Sequence, residues 1–262
     1  MTVAPSPAEI FDRAVEEGER RLDQSALELV ATSFIAGFTV VFGIVALGIV
    51  HAAVKPLSGA LASVAGALAF GPGLIFLVIG RTELFNENFF SPVAKAVNQP
   101  DSWMVVPLLR LWSVTFVVNL IGGVLMALVF SVEGALTPAT AASLRTSANE
   151  FVHRAPLAKF ADAIAGGILV SLLSFLLEAA DSVRDRITLA YIVGFLLALG
   201  PFDHVIVTVL HVVFGMLFDA SIGVGTLARM TVVITAGNVV GGLGLVTLTH
   251  IVQVRGARES DS

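Results

Sequence analysis

The stretch 200-GPFDHVIVTV-209 places an aspartate beside a histidine within a long apolar run. A second stretch, 80-GRTELFNENF-89, places an arginine and two glutamates in a similar setting near the middle of the first half of the chain. Ionisable side chains are costly in the hydrocarbon core of a membrane, and there they face a protein interior or a water-filled path. These two stretches therefore decide how the surrounding apolar segments are interpreted.

The composition is that of a membrane protein. Of the 262 residues, 56% are hydrophobic and only 13% are charged, whereas about 25% are charged in a typical soluble domain. The mean hydropathy is +0.91, and the formal net charge is -5. The chain has no cysteine, which excludes disulfides and thiol chemistry. The polar, acidic start of the chain lacks the basic head and apolar stretch of a secretory signal peptide.

Six apolar regions are predicted to cross the membrane, because one helical crossing takes about 20 apolar residues. They lie at 29–54, 57–80, 111–132, 163–177, 187–218 and 230–254. The fourth is too short alone and must extend past Asp162 or Glu178. The second is expected to bend at the Gly71-Pro72-Gly73 triplet.

Two regions are too long for a single unbroken crossing. At 1.5 Å per residue, 57–97 would extend about 60 Å and 187–218 about 48 Å as helices, whereas the hydrocarbon core is about 30 Å thick. The two polar stretches interrupt these regions. Irregular backbone is tolerated at membrane depth where it faces protein or water. We therefore predict that helices 2 and 5 are broken.

An internal repeat relates the two halves of the chain. The third region contains Asn119-Leu-Ile-Gly-Gly and the sixth contains Asn238-Val-Val-Gly-Gly. Asn119 follows Glu83 by 36 residues, and Asn238 follows Asp203 by 35. The predicted fold is an all-α membrane protein of six transmembrane helices arranged as two inverted three-helix repeats. Asn119 and Asn238 are predicted to hold the broken loops in place, and routine interhelical hydrogen bonds are the alternative.

The topology follows from the basic residues. Nine arginines and lysines lie on the side of the two termini and five on the other, which predicts that both termini are cytoplasmic. We divide the chain into a cytoplasmic N-terminal segment at 1–24, one transmembrane domain at 25–254 and a cytoplasmic tail at 255–262. The stretch 8–23 is predicted to form an amphipathic surface helix.

The loop and repeat motifs resemble those of the formate/nitrite transporter family. Its first broken loop reads acidic-Leu-Phe, its second Phe-acidic-His, and its last span contains Gly-Asn-x-x-Gly-Gly. Here these are Glu83-Leu84-Phe85, Phe202-Asp203-His204 and 237-GNVVGG-242. The similarity covers about residues 25–254. It implies an aquaporin-like protomer, a homopentamer with one pore per protomer, a location in the cell (inner) membrane, and passage of small monovalent anions such as formate or nitrite, often with protons.

The resemblance also selects a substrate pathway. His204 matches the family's pore histidine, which lies between two apolar constrictions. Phe70 and Leu74 match constriction positions, and Leu197 lies where an aromatic residue is usual. By resemblance the pathway also includes Phe85, Phe202 and Thr208, and Asn86 and Arg81 of the first break are added to it although they depart from the family's motif.

Three departures distinguish this chain from the usual motifs of the family. The first loop reads Arg81-Thr-Glu-Leu-Phe-Asn86, where Gly-Ala-Asp/Glu-Leu-Phe-Thr is usual. Ser171 stands where the fourth span usually has an asparagine. The basic residue expected at the non-cytoplasmic mouth is either Arg154 or Lys159.

Two chemical hypotheses concern the charged residues of the breaks. His204 can donate a hydrogen bond or a proton to an anion that sheds water in an apolar pore. Glu83 and Asp203 are expected to cap the half-helices that follow them, and Arg81 is expected to neutralise Glu83. Direct contact between Arg81 and the anion is the alternative.

Other functions are weighed against a pore for small anions. An enzyme using Asp203 and His204 lacks a nucleophile motif or cofactor loop, and no enzymatic activity, catalytic residue or cofactor is expected. No histidine pair lies at ligand spacing with a carboxylate, so no metal site is expected. A neutral-solute pore of the aquaporin type would normally carry Asn-Pro-Ala, which is absent. The expected partners are the anion, a proton, membrane lipid and further copies of the chain, and not nucleic acid.

Overall fold

The computed structural model describes residues 5–99 and 102–260, with side chains described as far as residue 257. The outermost parts of the two predicted terminal segments, residues 1–4 and 261–262, lie outside this range. The α-helices are α1 (Pro7–Leu22), α2 (Ala26–Val54), α3 (Gly59–Ile79), α4 (Ser91–Asn98), α5 (Val105–Phe130), α6 (Pro138–His153), α7 (Pro156–Glu178), α8 (Val183–Leu199), α9 (Val205–Leu217), α10 (Val224–Asn238) and α11 (Leu248–Ser260). A 3-10 turn spans Phe85–Phe89, and a π-helical segment, Val239–Thr247, joins α10 to α11.

Five of the six apolar regions form continuous helices of membrane-crossing length, as predicted. Among the described residues these are α2, α3, α5, α7 and the run Val224–Ala257, whereas the fifth region, 187–218, is divided between α8 and α9. The fourth crossing, α7, starts at Pro156 and so extends past Asp162, as its short apolar run requires. α6 was not predicted, because its sequence is too polar to read as a span.

Both predicted breaks are confirmed. α3 passes through Pro72 without ending and stops at Ile79, after which Arg81 adopts a left-handed backbone with φ of 50°. The chain then forms the 3-10 turn and the short helix α4. In the second half, α8 stops at Leu199, and α9 begins only at Val205. The polar stretches of the sequence therefore lie in the two interruptions.

The helices at the two ends of the chain lie together. The predicted amphipathic helix is confirmed as α1, which packs against α4 and α11. Phe11 and Ala14 of α1 join a small apolar cluster with Phe90 and Val254. The apolar face of α1 is thus buried against protein, over the first break.

Candidate functional site: two broken helices between two cavities

Two cavities open at opposite ends of α3. The larger, of about 600 Å³, is lined by residues from the start of α3 and the second break, and we call it the Arg154 cavity. Its lining includes Phe70, Leu197, Phe202, His204, Thr208 and Arg154. The smaller, of about 380 Å³, lies where α3 ends and α1 crosses, and we call it the α1 cavity. Arg81 lines this second cavity, far from the predicted residues that line the first.

Asn119 holds the first break. Its Nδ2 donates to the carbonyl oxygens of Ser33 at 2.8 Å and Glu83 at 2.9 Å. Its Oδ1 accepts from the backbone N–H of Phe85 at 3.0 Å. The side chain is fully buried, so the amide supplies partners to backbone groups that the interrupted helix leaves unpaired.

Asn238 makes the corresponding contacts in the second half. Its Nδ2 donates to the carbonyl oxygens of Ala163 and Asp203, both at 2.7 Å. Its Oδ1 accepts from the backbone N–H of Val205 at 2.9 Å. The two asparagines therefore satisfy equivalent backbone groups at the two breaks.

One hydrogen bond connects the halves directly at this level. Asn86 Nδ2 of the first break donates to Asn238 Oδ1 at 2.8 Å. Asn86 is fully buried, and its own Oδ1 has no hydrogen-bond partner among the described residues. Asn86, which stands where the motif usually has threonine, thus connects the first loop to Asn238 of the second half. We call the hydrogen bonds of Asn119 and of Asn238 to the backbone of the two breaks the clamps.

The contacts of Glu83 match neither expectation, that it caps a half-helix or that it pairs with Arg81. Glu83 Oε1 accepts from Arg20 Nη2 at 3.0 Å and from Gln24 Nε2 at 2.9 Å, and Arg21 Nη1 lies 3.4 Å from Oε2. The 3-10 turn that follows has no side-chain cap. The predicted capping role of Glu83 is therefore wrong, because its carboxylate binds α1 instead.

The expected pairing of Arg81 with Glu83 is also wrong. The Arg81 side chain is 69% exposed and lies 3.8 Å from Glu17 Oε2 of α1. Its left-handed backbone turns it toward the α1 cavity, and Arg20 and Arg21 occupy the place beside Glu83.

Asp203 is likewise bound by an arginine and is not a cap. Arg154 Nη2 donates to Asp203 Oδ1 at 2.9 Å, and Arg154 Nη1 donates to Asp162 Oδ2 at 2.6 Å. The cap of α9 is the next residue, His204. Both breaks therefore carry a buried carboxylate neutralised by arginine from a neighbouring helix end, which is how charge is tolerated inside a protein.

Arg154 and Lys159 lie in different surroundings. Arg154 lines the cavity, and its guanidinium lies 4.8 Å from the centre of the Phe151 ring. Lys159 is buried, and its Nζ donates to the carbonyl of Val152 at 2.7 Å. Of the two, Arg154 is therefore the basic side chain that lines the Arg154 cavity.

His204 has one nitrogen without a partner. Its Nδ1 accepts from the backbone N–H of Val207 at a long 3.5 Å, which favours the tautomer with the proton on Nε2. Nε2 is buried and has no partner among the described residues, although the ring lines the Arg154 cavity. A buried donor of this kind lacks a hydrogen bond that a ligand or water would supply.

Apolar side chains separate the cavities. Phe70, which lines the Arg154 cavity, and Leu77, which lines the α1 cavity, are two turns apart on α3. Leu74 lies between them, 2% exposed, and lines neither cavity. Phe85 also lines neither and packs edge-on against Phe89 and Phe116. A solute that crossed would have to pass this apolar zone.

The geometry can be compared with known proteins. The model of the formate/nitrite transporter family matches residues 8–252. The chain belongs to the formate/nitrite transporter family. By family, its function is anion transport and not an enzymatic reaction.

Relatives and solved structures agree with this membership. The inner membrane protein YfdC of Escherichia coli (strain K12) is 25% identical over 249 residues, which cover 94% of this chain and 78% of YfdC. A structure described as an FNT family ion channel matches with a TM-score of 0.82 at 18% identity, covering 93% of this chain and 98% of that one. A pentameric formate channel with formate bound matches with a TM-score of 0.70 at 21% identity, covering 87% and 98%. The predicted aquaporin-like fold is therefore confirmed.

The sequence did not predict the site role of several polar and charged residues of this formate/nitrite transporter family member. Arg20, Arg21 and Gln24 contact Glu83 from about 60 residues away, and Glu87 is buried at the α1 cavity. Two adjacent arginines at the end of an amphipathic helix indicate that a carboxylate lies nearby, but spacing in the sequence does not identify Glu83 as that carboxylate. Across the described residues, no group of three or more His, Cys, Asp or Glu is placed to hold a metal.

Proposed function

We propose that this protein conducts small monovalent weak-acid anions, of the formate or nitrite type, together with protons, past His204 between the two cavities. The observation that carries the proposal is the buried, unpartnered Nε2 of His204 at the wall of the Arg154 cavity. Family membership supplies the substrate class, and one solved relative is described with formate bound.

The physical reason for proton coupling is the cost of desolvation. An anion that enters an apolar zone loses hydration that is worth many kcal/mol, and neutralising it removes most of that cost. The Nε2–H of His204 donates a hydrogen bond to an anion oxygen and holds the anion in place. A hydronium ion of the cavity then gives its proton to the anion, so that a neutral acid and a water molecule form while the imidazole stays neutral.

The other pathway residues take roles that fit their positions. Phe70, Leu197 and Phe202 form the apolar constriction beside the Arg154 cavity, and Leu74 forms the barrier beyond it. Thr208 offers a hydroxyl one turn after His204, and Arg154 attracts anions at the mouth. Asn119, Asn238, Glu83 and Asp203 keep the loops in place, with Phe85 and Asn86 at the level where the halves meet.

The molecular setting is part of the same proposal. Apolar side chains such as Phe76, Val117 and Leu125 are about half exposed on the outer helix faces, and lipid and further copies of the chain would cover them. We assign a homopentamer by analogy with the pentameric relative, and the inner membrane by analogy with YfdC. Both terminal segments are assigned to the cytoplasmic side, and the packing of α1 against α11 and the excess of basic residues on that side support this assignment. Residues 25–254 form the transport domain.

The proposal is tested by flux into proteoliposomes. Formate, nitrite, acetate and lactate uptake is measured at two pH values for the wild type, His204→Gln and His250→Gln. His250 is a matched control because its ring packs on Phe175, away from both cavities. We expect wild type and H250Q to take up formate or nitrite faster at the lower pH, and H204Q to lose that proton-coupled uptake. Unchanged uptake in H204Q contradicts the role of the histidine, and water or glycerol permeation without anion flux supports a neutral-solute pore instead.

A further inference from the structure

The first break carries a second buried ionisable group, Glu87, on the side of the pore opposite His204. Glu87 belongs to the 3-10 turn between α3 and α4 and is 3% exposed. It lines the α1 cavity, yet its Oε1 has no hydrogen-bond partner among the described residues. A carboxyl group placed in this way needs a further ligand, water or a bound proton.

The main chain of Glu87 is fixed, while its side chain is left free. The carbonyl oxygen of Glu87 accepts from Arg21 Nη1 at 3.3 Å and from Ser174 Oγ at 3.2 Å. Arg21 Nη1 also donates to Asn88 Oδ1 at 3.0 Å. Neighbouring donors thus position the residue through its backbone and not through its carboxylate.

The charged groups around Glu87 come from every element that packs here. They are Glu17, Arg20 and Arg21 on α1, Arg81 and Glu83 in the break, Glu178 at the end of α7 and Arg186 near the start of α8. Arg20 and Arg21 are committed to Glu17 and Glu83 at 2.6–3.4 Å. Glu178 is held by Ser91 at 3.4 Å. Glu87 therefore lies among arginines and carboxylates whose charges act on its ionisation in opposite directions, and it is paired to none of the arginines.

The buried polar atoms of the first break that lack a partner are acceptors. They are Glu87 Oε1 and the Oδ1 of Asn86, one residue earlier. A bare anion offers only acceptors and is repelled by an ionised carboxylate. The protonated form of a weak acid carries an O–H donor, which an acceptor oxygen can receive. These two oxygens can therefore bind a neutral acid but not its anion, whereas the arginines of the α1 cavity can bind the anion.

We propose that Glu87 is the group that exchanges the proton of the transported acid on the α1 side of the pore, which rests on the function proposed above. In the step, the acid HA reaches the ionised carboxylate of Glu87, its O–H bond breaks, and a new O–H bond forms on a Glu87 oxygen. The anion A⁻ leaves into the α1 cavity toward Arg81 and Arg186, and the carboxylic acid then releases its proton to water. The reverse sequence loads an anion from this side.

The test uses the full-length protein in liposomes with formate as the probe. Uptake is followed from pH 5 to 8, together with the pH inside the vesicle, for the wild type, Glu87→Gln, Glu87→Asp and Glu16→Gln. Gln keeps the size of Glu but cannot titrate, Asp titrates, and Glu16 is an exposed residue of α1 that serves as the control. Elution of each solubilised variant as a single assembled species establishes folding.

We expect E87Q to lose at least about tenfold of the formate uptake driven by a pH gradient, and to flatten its pH profile. E87D should keep a pH-dependent profile, and E16Q should match the wild type. A wild-type pH profile in E87Q overturns the inference, and so does an equal loss in E87Q and E87D at every pH, which indicates a structural role. If the wild type itself carries neither formate nor nitrite, the proposed function fails first, and the inference fails with it.

Discussion

Asn119 and Asn238 make the same three hydrogen bonds, each within its own half of the chain. Each donates to a carbonyl of the first crossing helix of its half and to the carbonyl of the buried acid in the break, and each accepts from the backbone N–H two residues after that acid. Residues that far apart make identical contacts only if the two halves share a local fold. The pair is therefore the structural core of the repeat.

Replacing either asparagine by alanine should destabilise the protein strongly. Each change leaves two buried backbone groups of the break unpaired, since the helical carbonyl keeps its bond within the helix, and because one such group costs roughly 1–3 kcal/mol, we expect a loss of about 2 kcal/mol or more. The melting temperature of detergent-solubilised N119A and N238A, read from loss of the assembled species, measures this. Asn98→Ala, at an exposed position at the end of α4, is the control. Melting of N119A and N238A at the wild-type temperature would contradict the clamp.

Gly37 and Gly167, which pack against the backbones of Asn119 and Asn238, should tolerate no side chain. A Cβ on Gly37 would lie 2.0 Å from the carbonyl oxygen of Asn119, and one on Gly167 would lie 2.4 Å from that of Asn238. Such overlap with backbone forces the helices apart, at a cost of roughly 1–3 kcal/mol or more. G37A and G167A should therefore express poorly or melt early. Gly59→Ala, which meets nothing within 4 Å, should behave as wild type, and equal behaviour of all three would refute close packing.

The ion pair at the second break should depend on charge and not on shape. Arg154→Gln leaves the buried carboxylate of Asp203 without its cation, and we expect a loss of roughly 2 kcal/mol, less than for a fully buried pair because Arg154 is part-exposed. Asp203→Asn in the same protein removes the uncompensated charge and should recover part of the loss. Melting temperatures of the two single variants and the double variant form the measurement. No recovery in the double variant would show that the charge of Asp203 is not what Arg154 balances.

The selectivity of the apolar barrier for anion size should depend on the volume of the Leu74 side chain. Leu74→Ala removes the side chain between the two cavities, and we expect faster uptake of larger anions such as lactate relative to formate. Leu173→Ala, also buried but lining neither cavity, is the control, because both changes cost roughly 2–5 kcal/mol of stability. Relative fluxes of the two anions in liposomes provide the measurement. The same lactate-to-formate ratio in both variants would place the barrier elsewhere.

The helix α1 should lose stability in acid. Burial alone would raise the pKa of Glu17, but hydrogen bonds from Arg20 and the charge of Arg21, both on the same helix, outweigh it and lower the pKa to about 2. Because the folded pKa lies below the unfolded value of 4.5, the stability from Glu17 is complete above about pH 5 and is lost as the pH falls toward 2. Hydrogen exchange of α1 should therefore accelerate over this range in the wild type. Glu17→Gln should exchange faster already at pH 7 and vary less with pH, and a wild-type profile in E17Q would show that these ion pairs do not stabilise α1.

Hydropathy and spacing predict the parts of this structure that are local in sequence. The ends of α3 and α8 follow from polar stretches that lie beside them, and the clamp asparagines follow from a matched interval in the two halves. The partners of Glu83 and Asp203 do not follow, because Arg20 lies 63 residues from Glu83 and Arg154 lies 49 residues from Asp203. A carboxylate just before a helix predicts a helix cap when only the neighbouring residues in sequence are considered. The tertiary structure is needed to show that an arginine from another helix binds the carboxylate instead. The unpaired carboxyl of Glu87 could not be predicted for the same reason, because its position in the sequence does not show that Arg21 and Ser174 bind its backbone.

The contact between Asn86 and Asn238 makes the duplicated architecture asymmetric. The other hydrogen bonds of the two asparagines stay within one half, and this one has no counterpart running from the second loop to Asn119. Because Asn238 also binds the backbone on both sides of His204, a displacement at residue 86 reaches the pore histidine, and a displacement of the histidine reaches residue 86 by the same bonds. Relatives with threonine at this position would therefore be expected to differ in how their two halves communicate.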